Sequence, residues 1–180
     1  MTKNLLLNGD LEISEAGEFY RGYLEFSAGT PLFNSLENNR TTVVKILSGL
    51  DDKQALYRYE PGKWSLKQMF GHMIDMEQIF SYRALSISRS EKGELPGYDH
   101  NSYVEMANFE DWPVSKLIDH YKALRQYTLL LFDSFSDEML MRRGSASGSP
   151  FTVRSLGYII AGHELHHLSI YNERYLPRLK

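Results

Sequence analysis

Three histidines within five positions of an otherwise apolar stretch constrain this chain more than any other feature. Gly162-His163-Glu164-Leu165-His166-His167 lies inside a segment whose periodicity predicts a helix from about Thr152 to Tyr175. His163 and His167 are four residues apart, so on a helix they stand roughly 40° apart around the axis and one turn apart along it. That sets two imidazoles side by side, as a divalent transition metal requires of one helix. Such a pair is half a site. The rest of the chain must supply a third ligand from an element that faces it.

Composition narrows what that ligand can be. The 180 residues include no cysteine, which excludes disulfides, a thiol nucleophile and thiolate ligands, and leaves His, Asp and Glu as donors. The missing cysteines agree with a cytoplasmic setting, and the apolar run at Asn4-Leu5-Leu6-Leu7-Asn8 is far too brief for a signal segment. A formal charge of −3 without a Lys/Arg cluster argues against nucleic acid as a partner. No apolar run approaches the ~18–20 residues that span a bilayer. With 42% hydrophobic and 24% charged residues, one soluble domain with a sizeable core is expected.

Residues 1–29 are weakly patterned. Asp10, Glu12, Glu15 and Glu18 alternate loosely with Phe19, Tyr20, Tyr23 and Phe26, while Gly17, Gly22 and Gly29 interrupt any helix. This reads as an arm laid over a single bundle domain at 30–180. Thr30-Pro31 marks a helix start, and Leu32, Leu36, Val43, Leu47 and Leu50 form one buried stripe, with Asn39 and Arg40 making its middle polar. Ser65-Leu66-Lys67-Gln68 has the form of a capping box and opens a second helix. Its inner stripe runs Met69, His72 or Met73, Met76, Phe80 and Ala84 or Ile87, so His72 lies where a third ligand is needed.

Between Ser88 and Pro113 the periodicity disappears, and the stretch reads as a long crossover whose aromatics pack it down. A third helix follows from Pro113, with Leu117, Tyr121, Leu124, Thr128, Leu131 and Phe135 buried. Arg142 to Pro150 reads as a plain linker loop. The fourth helix turns Leu156, Ile160, His163, His167, Ile170 and Arg174 inward, and Pro177 ends it. Four long helices, no convincing strand and a long connection between helices two and three give an all-α four-helix bundle with a crossover.

If helices two and four are neighbours, His72 faces His163 and His167 across the interior. Three neutral imidazoles with open coordination positions are the pattern of a catalytic metal site, suited to Zn, Ni, Cu or Fe(II). The plainer alternative is core histidines with hydrogen-bond partners, each of which needs its own partner in an apolar stripe. His166 lies about 60° from His163 around the helix and reads as a flanking group: outer partner, subunit contact or surface, or a ligand if the register shifts. His100 and His120 read as ordinary polar residues, with His100 in reach of the pocket mouth. Asp75 and Glu164 read as solvated surface carboxylates, with ligand orientation or proton handling as the alternatives. Tyr171 and Arg174 are candidates for the pocket wall, with Arg174 able instead to pair with an acid on helix two. His163-Glu164 followed by His167 also fits the spacing of a zinc-protease motif, but no downstream histidine follows.

Three blocks, PGKWSLKQMFGHMIDMEQIFSYRA (61–84), LPGYDHNSYVEMANF (95–109) and YIIAGHELHHLSIYNERYL (158–176), resemble the DinB-like superfamily of damage-inducible four-helix proteins. They match in order, and the likeness runs from about 20 to 176. The resemblance implies a divalent metal, often Ni or Zn, held by one histidine of helix two and an H-x-x-x-H pair of helix four. Those positions are His72, His163 and His167 here. It also implies a homodimer, and relatives that are thiol-dependent S-transferases, a maleylpyruvate isomerase domain, or hydrolases that detoxify electrophiles. The function expected from it is a metal-dependent thiol transferase or detoxification enzyme, acting with a low-molecular-weight thiol on a small electrophile. A non-catalytic, stress-related metal-binding protein and a metal-dependent hydrolase are the alternatives.

Overall fold

Four long helices carry the fold in the computed structural model, which describes residues 11–179; Asp10 and the apolar run at 4–8 lie outside the described residues. Helix α1 spans Arg21–Ser27, α2 Leu32–Ser48, α3 Leu66–Ser88, α4 His100–Met106, α5 Val114–Ser134, α6 Asp137–Leu140 and α7 Val153–Ile170. Strands β1 (Arg143–Ala146) and β2 (Ser149–Thr152) form a hairpin before α7.

Local chemistry sets the helix starts. Ser65 Oγ accepts from Gln68 N at 3.2 Å while Gln68 Oε1 accepts from Ser65 N at 3.0 Å, which completes the box expected at α3. Thr152 and Ser155 cap α7 in the same reciprocal way, at 3.1 Å each. Asp52 Oδ1 accepts from Val114 N at 2.8 Å and satisfies a free donor at the start of α5. At α2, Pro31 stands at the N-cap itself, one position before the expected first turn.

The bundle is formed by α2, α3, α5 and α7. One apolar cluster joins the start of α2 (Leu32, Leu36) and the start of α7 (Leu156, Ile160) to the ends of α3 (Phe80, Ile87) and α5 (Phe132). A second joins Val43 and Leu47 of α2 and Leu168 of α7 to Met69, Phe70 and Met73 of α3 and Leu117 and Tyr121 of α5. The chain direction is therefore up, down, down, up, and the crossover between α3 and α5 lets two successive helices run parallel. Each fully buried Leu or Phe in these clusters contributes about 1.5–3 kcal/mol. Asn39, His72, Glu77, Arg125, His163, Glu164 and His167, all buried, fall between the two clusters. The bundle thus has a polar waist, and Asn39 Nδ2 donates to Ala161 O at 3.0 Å within it.

Three stretches differ from the sequence reading. The linker of 142–150 is a two-stranded hairpin, because Ser147 (φ 53°) and Gly148 (φ 70°) provide the left-handed pair that a tight turn needs. The crossover contains the short helix α4, capped by Asp99 Oδ1, which accepts from Asn101 N at 3.0 Å. Gly22 does not prevent a helix: α1 forms around it, held from outside by Ser27 Oγ donating to Tyr158 O at 3.1 Å. The hairpin ties these parts together. Leu95 N donates to Ser145 O at 3.0 Å, Ser147 N to Leu95 O at 3.1 Å and Gly17 N to Pro150 O at 3.0 Å. Buried Glu15 adds an ion pair with Arg154 and accepts from Thr152 Oγ1 at 2.8 Å, which anchors the segment before α1 to the start of α7. Among the described residues, no helix is long and apolar enough to cross a membrane.

Candidate metal centre

Helix α3 delivers His72 at its second turn, and α7 delivers His163 and His167 from consecutive turns, so the antiparallel packing of these two helices brings the three rings together. His72 Nε2 lies 3.0 Å from His163 Nε2, and His167 Nε2 lies 3.1 Å from the same atom. A donor atom from each of the three falls within 4.8 Å of the others. All three side chains are buried.

Burial sets their charge. It pushes His72 from 6.5 down to about 4, with His100 adding to the effect. His163 and His167 are pushed well below the ordinary range by the same desolvation and by neighbouring imidazoles. The site therefore presents three neutral rings at neutral pH. Each short Nε2···Nε2 contact needs a hydrogen on one side and a lone pair on the other, and His163 Nε2 has one or the other for both contacts. A cation accepted by three lone pairs removes that conflict. The spacing suits one, since a tetrahedral Zn–N distance of ~2.0–2.1 Å puts neighbouring nitrogens about 3.3 Å apart.

The outer support is unusual. Ligating imidazoles commonly donate their second N–H to a carboxylate or carbonyl. Here Nδ1 of His72 and Nδ1 of His167 are buried and bond to none of the described residues. Ring packing orients the imidazoles instead, with Trp64 centred 4.8 Å from His72 and Tyr23 5.2 Å from His163.

A pocket of about 370 Å³ opens onto the three rings. Its wall is aromatic, from Phe19, Tyr20, Tyr23, Trp64, Phe80 and Tyr98, with His100, His166 and Ser147 as polar groups. The segment before and within α1 forms one side of this pocket, a role that Gly17 and Gly22 concealed in the sequence. Its signal was the spacing of Phe19, Tyr20 and Tyr23. His166 and His100 both line the pocket, the first 5.6 Å from the Tyr23 ring and the second 5.7 Å from the His72 ring, centre to centre. His120 does not line the pocket; it is exposed, 4.8 Å from the Trp112 ring.

Other readings are corrected. Glu164 is no solvated carboxylate: it is 3% exposed, accepts from Tyr121 at 2.6 Å and from Arg125 Nη2 at 2.9 Å. Arg125, fully buried, also donates through Nε and Nη2 to Glu77 at 2.9 Å each. Burial disfavours this guanidinium, but the two carboxylates outweigh it and hold Arg125 firmly charged. Sequence reasoning missed this triad, although Glu77, Arg125 and Glu164 fall on the inward sides of three helices with one positive charge between two negative ones. Asp75 is half-buried, and desolvation raises its carboxyl to about 6. Tyr171 and Arg174 do not line the pocket. The chain loosens into a π-helical turn at Tyr171–Tyr175, which turns Tyr171 toward Phe70 and leaves Arg174 exposed, 6.0 Å above the Tyr59 ring.

The chain is similar to YfiT from Bacillus subtilis, described as "a probable metal-dependent hydrolase with an unusual four-helix bundle topology". The TM-score is 0.65 at 18% identity, over 79% of this chain and 85% of that one. No curated protein sequence matches the chain. The family model of the DinB superfamily matches residues 35–170, a span that includes α3, α5, α7 and all three convergent histidines. With three quarters of its length matched, this chain belongs to the DinB superfamily.

Proposed function

We propose that the protein is a divalent-metal-dependent enzyme that activates a small external nucleophile against an electrophilic substrate. The observation that carries this reading is the convergence of three neutral Nε2 atoms at the floor of an open, aromatic-walled pocket. His72, His163 and His167 would hold the cation, which supplies a Lewis acid able to lower the pKa of a bound thiol or water. Ni and Zn are the metals we favour, both suited to imidazole donors.

The chain's own groups would do the rest. Trp64 and Tyr23 hold the rings of His72 and His163 by packing. Phe19, Tyr20, Phe80 and Tyr98 accommodate the apolar body of a substrate and displace water from it. His100 and His166 place two further imidazoles on the wall, where the proton leaving a nucleophile can be taken up. The chain has no cysteine, so a thiol nucleophile would come from outside, as a low-molecular-weight thiol. This favours an S-transferase of the detoxification type. Hydrolysis, with water as the nucleophile, is the second reading, favoured by the description of YfiT.

The experiment has two stages. Protein purified without a histidine tag is assayed for metal by mass spectrometry before and after incubation with Ni or Zn. Stoichiometric metal in the native chain and less than about a tenth of that in His163→Ala is expected; a native chain that takes up none sinks the proposal. The loaded protein is then screened for conjugation of a chlorinated aromatic to several small thiols and for ester and amide hydrolysis, with His72→Ala as the control. Conjugation supports the transferase, hydrolysis alone supports the second reading, and no metal-dependent turnover leaves a binding protein.

A further inference from the structure

Arg83 is 1% exposed, yet no carboxylate among the described residues pairs with it. The two other buried arginines described, Arg125 and Arg154, both close on carboxylates. Arg83 Nη2 donates to Pro96 O at 3.0 Å and to Ser147 Oγ at 2.9 Å, and its Nη1 is buried without a hydrogen-bond partner. The guanidinium lies 4.8 Å above the Phe80 ring and 6.0 Å from that of Tyr98. A buried cation with no carboxylate in contact and only the exposed Glu94 within electrostatic reach is costly, and one kept in that state suggests a counterion that arrives with a ligand.

Ser147 connects that charge to the pocket. It lines the same pocket as His72, from the hairpin turn, at a φ of 53° that side-chain-bearing residues seldom adopt. Because its oxygen accepts from Arg83, its proton remains available to a ligand in the pocket. Gly97 leaves room for it: a Cβ at that position would meet Ser147 Oγ at 3.0 Å. Glu94, the nearby acid, is exposed and already accepts from Ser145 Oγ and Gly148 N, so solvent screens it far better than the buried Arg83.

We propose that Ser147 Oγ, polarised by Arg83, binds a carboxylate or comparable anionic oxygen of the substrate. Arg83 follows His72 by eleven residues, or about 16 Å along α3, so this subsite lies at the end of the pocket away from the three histidines. The substrate class is then an amphipathic acid, with its anionic head at Ser147, an apolar body against the aromatic wall and its reacting centre near His72. The inference rests on reading this pocket as the substrate site but not on the metal.

The test uses metal-free, full-length protein and two probes of the same shape, 4-phenylbutyrate and 4-phenylbutyramide, titrated by calorimetry at pH 7.5 and constant ionic strength. A charge-assisted bond predicts that the acid binds about ten-fold more tightly than the amide. Ser147→Gly, which suits the left-handed turn and so preserves the hairpin, should weaken the acid about five-fold or more and leave the amide within about two-fold. Ser147→Ala repeats the comparison with the Cβ retained. Equal affinities in the unaltered protein, no binding of either probe by millimolar concentration, or a ratio untouched by both substitutions overturns the subsite. Because no metal is present, failure of the metal reading leaves this result intact.

Discussion

Gly162 and Tyr23 are in backbone contact: a Cβ on Gly162 would fall 1.8 Å from the Tyr23 carbonyl oxygen. The residue before the first histidine of α7 is therefore where α1 meets the bundle. That contact holds the Tyr23 ring against His163 and Tyr20 against Phe80 and Phe151. One wall of the pocket depends on a missing methyl group.

Gly162→Ala should push α1 away from α7, since the obstructing atom is backbone and cannot rotate aside. Overpacking of this kind costs about 1–3 kcal/mol, read as a lower midpoint in chemical denaturation. The Tyr23 ring would lose its place beside His163, and bound metal should exchange faster with a chelator. Unchanged stability and unchanged metal release would show that α1 does not press on the site as described.

His72→Ala, His163→Ala and His167→Ala should each abolish tight metal binding, because the two imidazoles that remain leave the cation mostly to water. His166→Ala should keep full metal content, since its ring lines the pocket wall but lies outside the convergent set. The native site should itself release metal to a strong chelator more readily than sites with buttressed ligands. Outer hydrogen bonds of the kind absent at Nδ1 of His72 and His167 are typically worth about ten- to a hundred-fold in affinity. Atomic absorption after dialysis against a graded series of chelators checks both points.

The bundle was legible because its determinants are local. The capping pairs at Ser65 and Thr152 and the apolar stripes through Leu36, Met76 and Ile160 act within one helix, and so does the i, i+4 spacing of His163 and His167. What escaped depends on contacts distant in sequence. Glu164 looks solvated until Arg125, on another helix, is known to lie against it. The hairpin at 143–152 has too few apolar residues to be seen as strand, and it is held by Leu95 and Gly17 from elsewhere in the chain. Gly22 looks like a helix breaker yet sits inside α1, and nothing within the expected fourth helix shows that Gly162 permits the close approach of α1.

Arg125→Met should be strongly destabilising even though it touches no pocket group. It leaves Glu77 and Glu164 buried with Tyr121 as the hydrogen bond retained by Glu164. Removing one partner of a buried ion pair costs about 3–5 kcal/mol. The double substitution Glu77→Gln with Glu164→Gln tests the cause, since two neutral amides no longer require a cation, and added to Arg125→Met it should recover part of the loss. Denaturation midpoints of the three variants decide the matter, and additive effects would rule out a coupled network.

Acid should weaken the metal-free fold in a defined window. The three convergent histidines are neutral in the folded chain, with His72 at about 4 and the other two well below 6.5. In the unfolded chain they take up protons near 6.5, so between that value and about 4 the unfolded state binds more protons and stability falls as pH falls. His72 alone accounts for about 3 kcal/mol across this window. Asp75 and Glu164, both raised by burial, act in the opposite sense as they take up protons in the folded chain, and moderate the slope. Urea titrations at pH 7.5, 6 and 5 should show the denaturation midpoint falling at each step, and a shallower fall in His163→Ala. Ni or Zn, bound only by the folded chain, should raise the midpoint at all three pH values, because the folded imidazoles keep their lone pairs free through this range. A midpoint independent of pH from 7.5 to 5 would mean that the three imidazoles are not held neutral in the bundle waist.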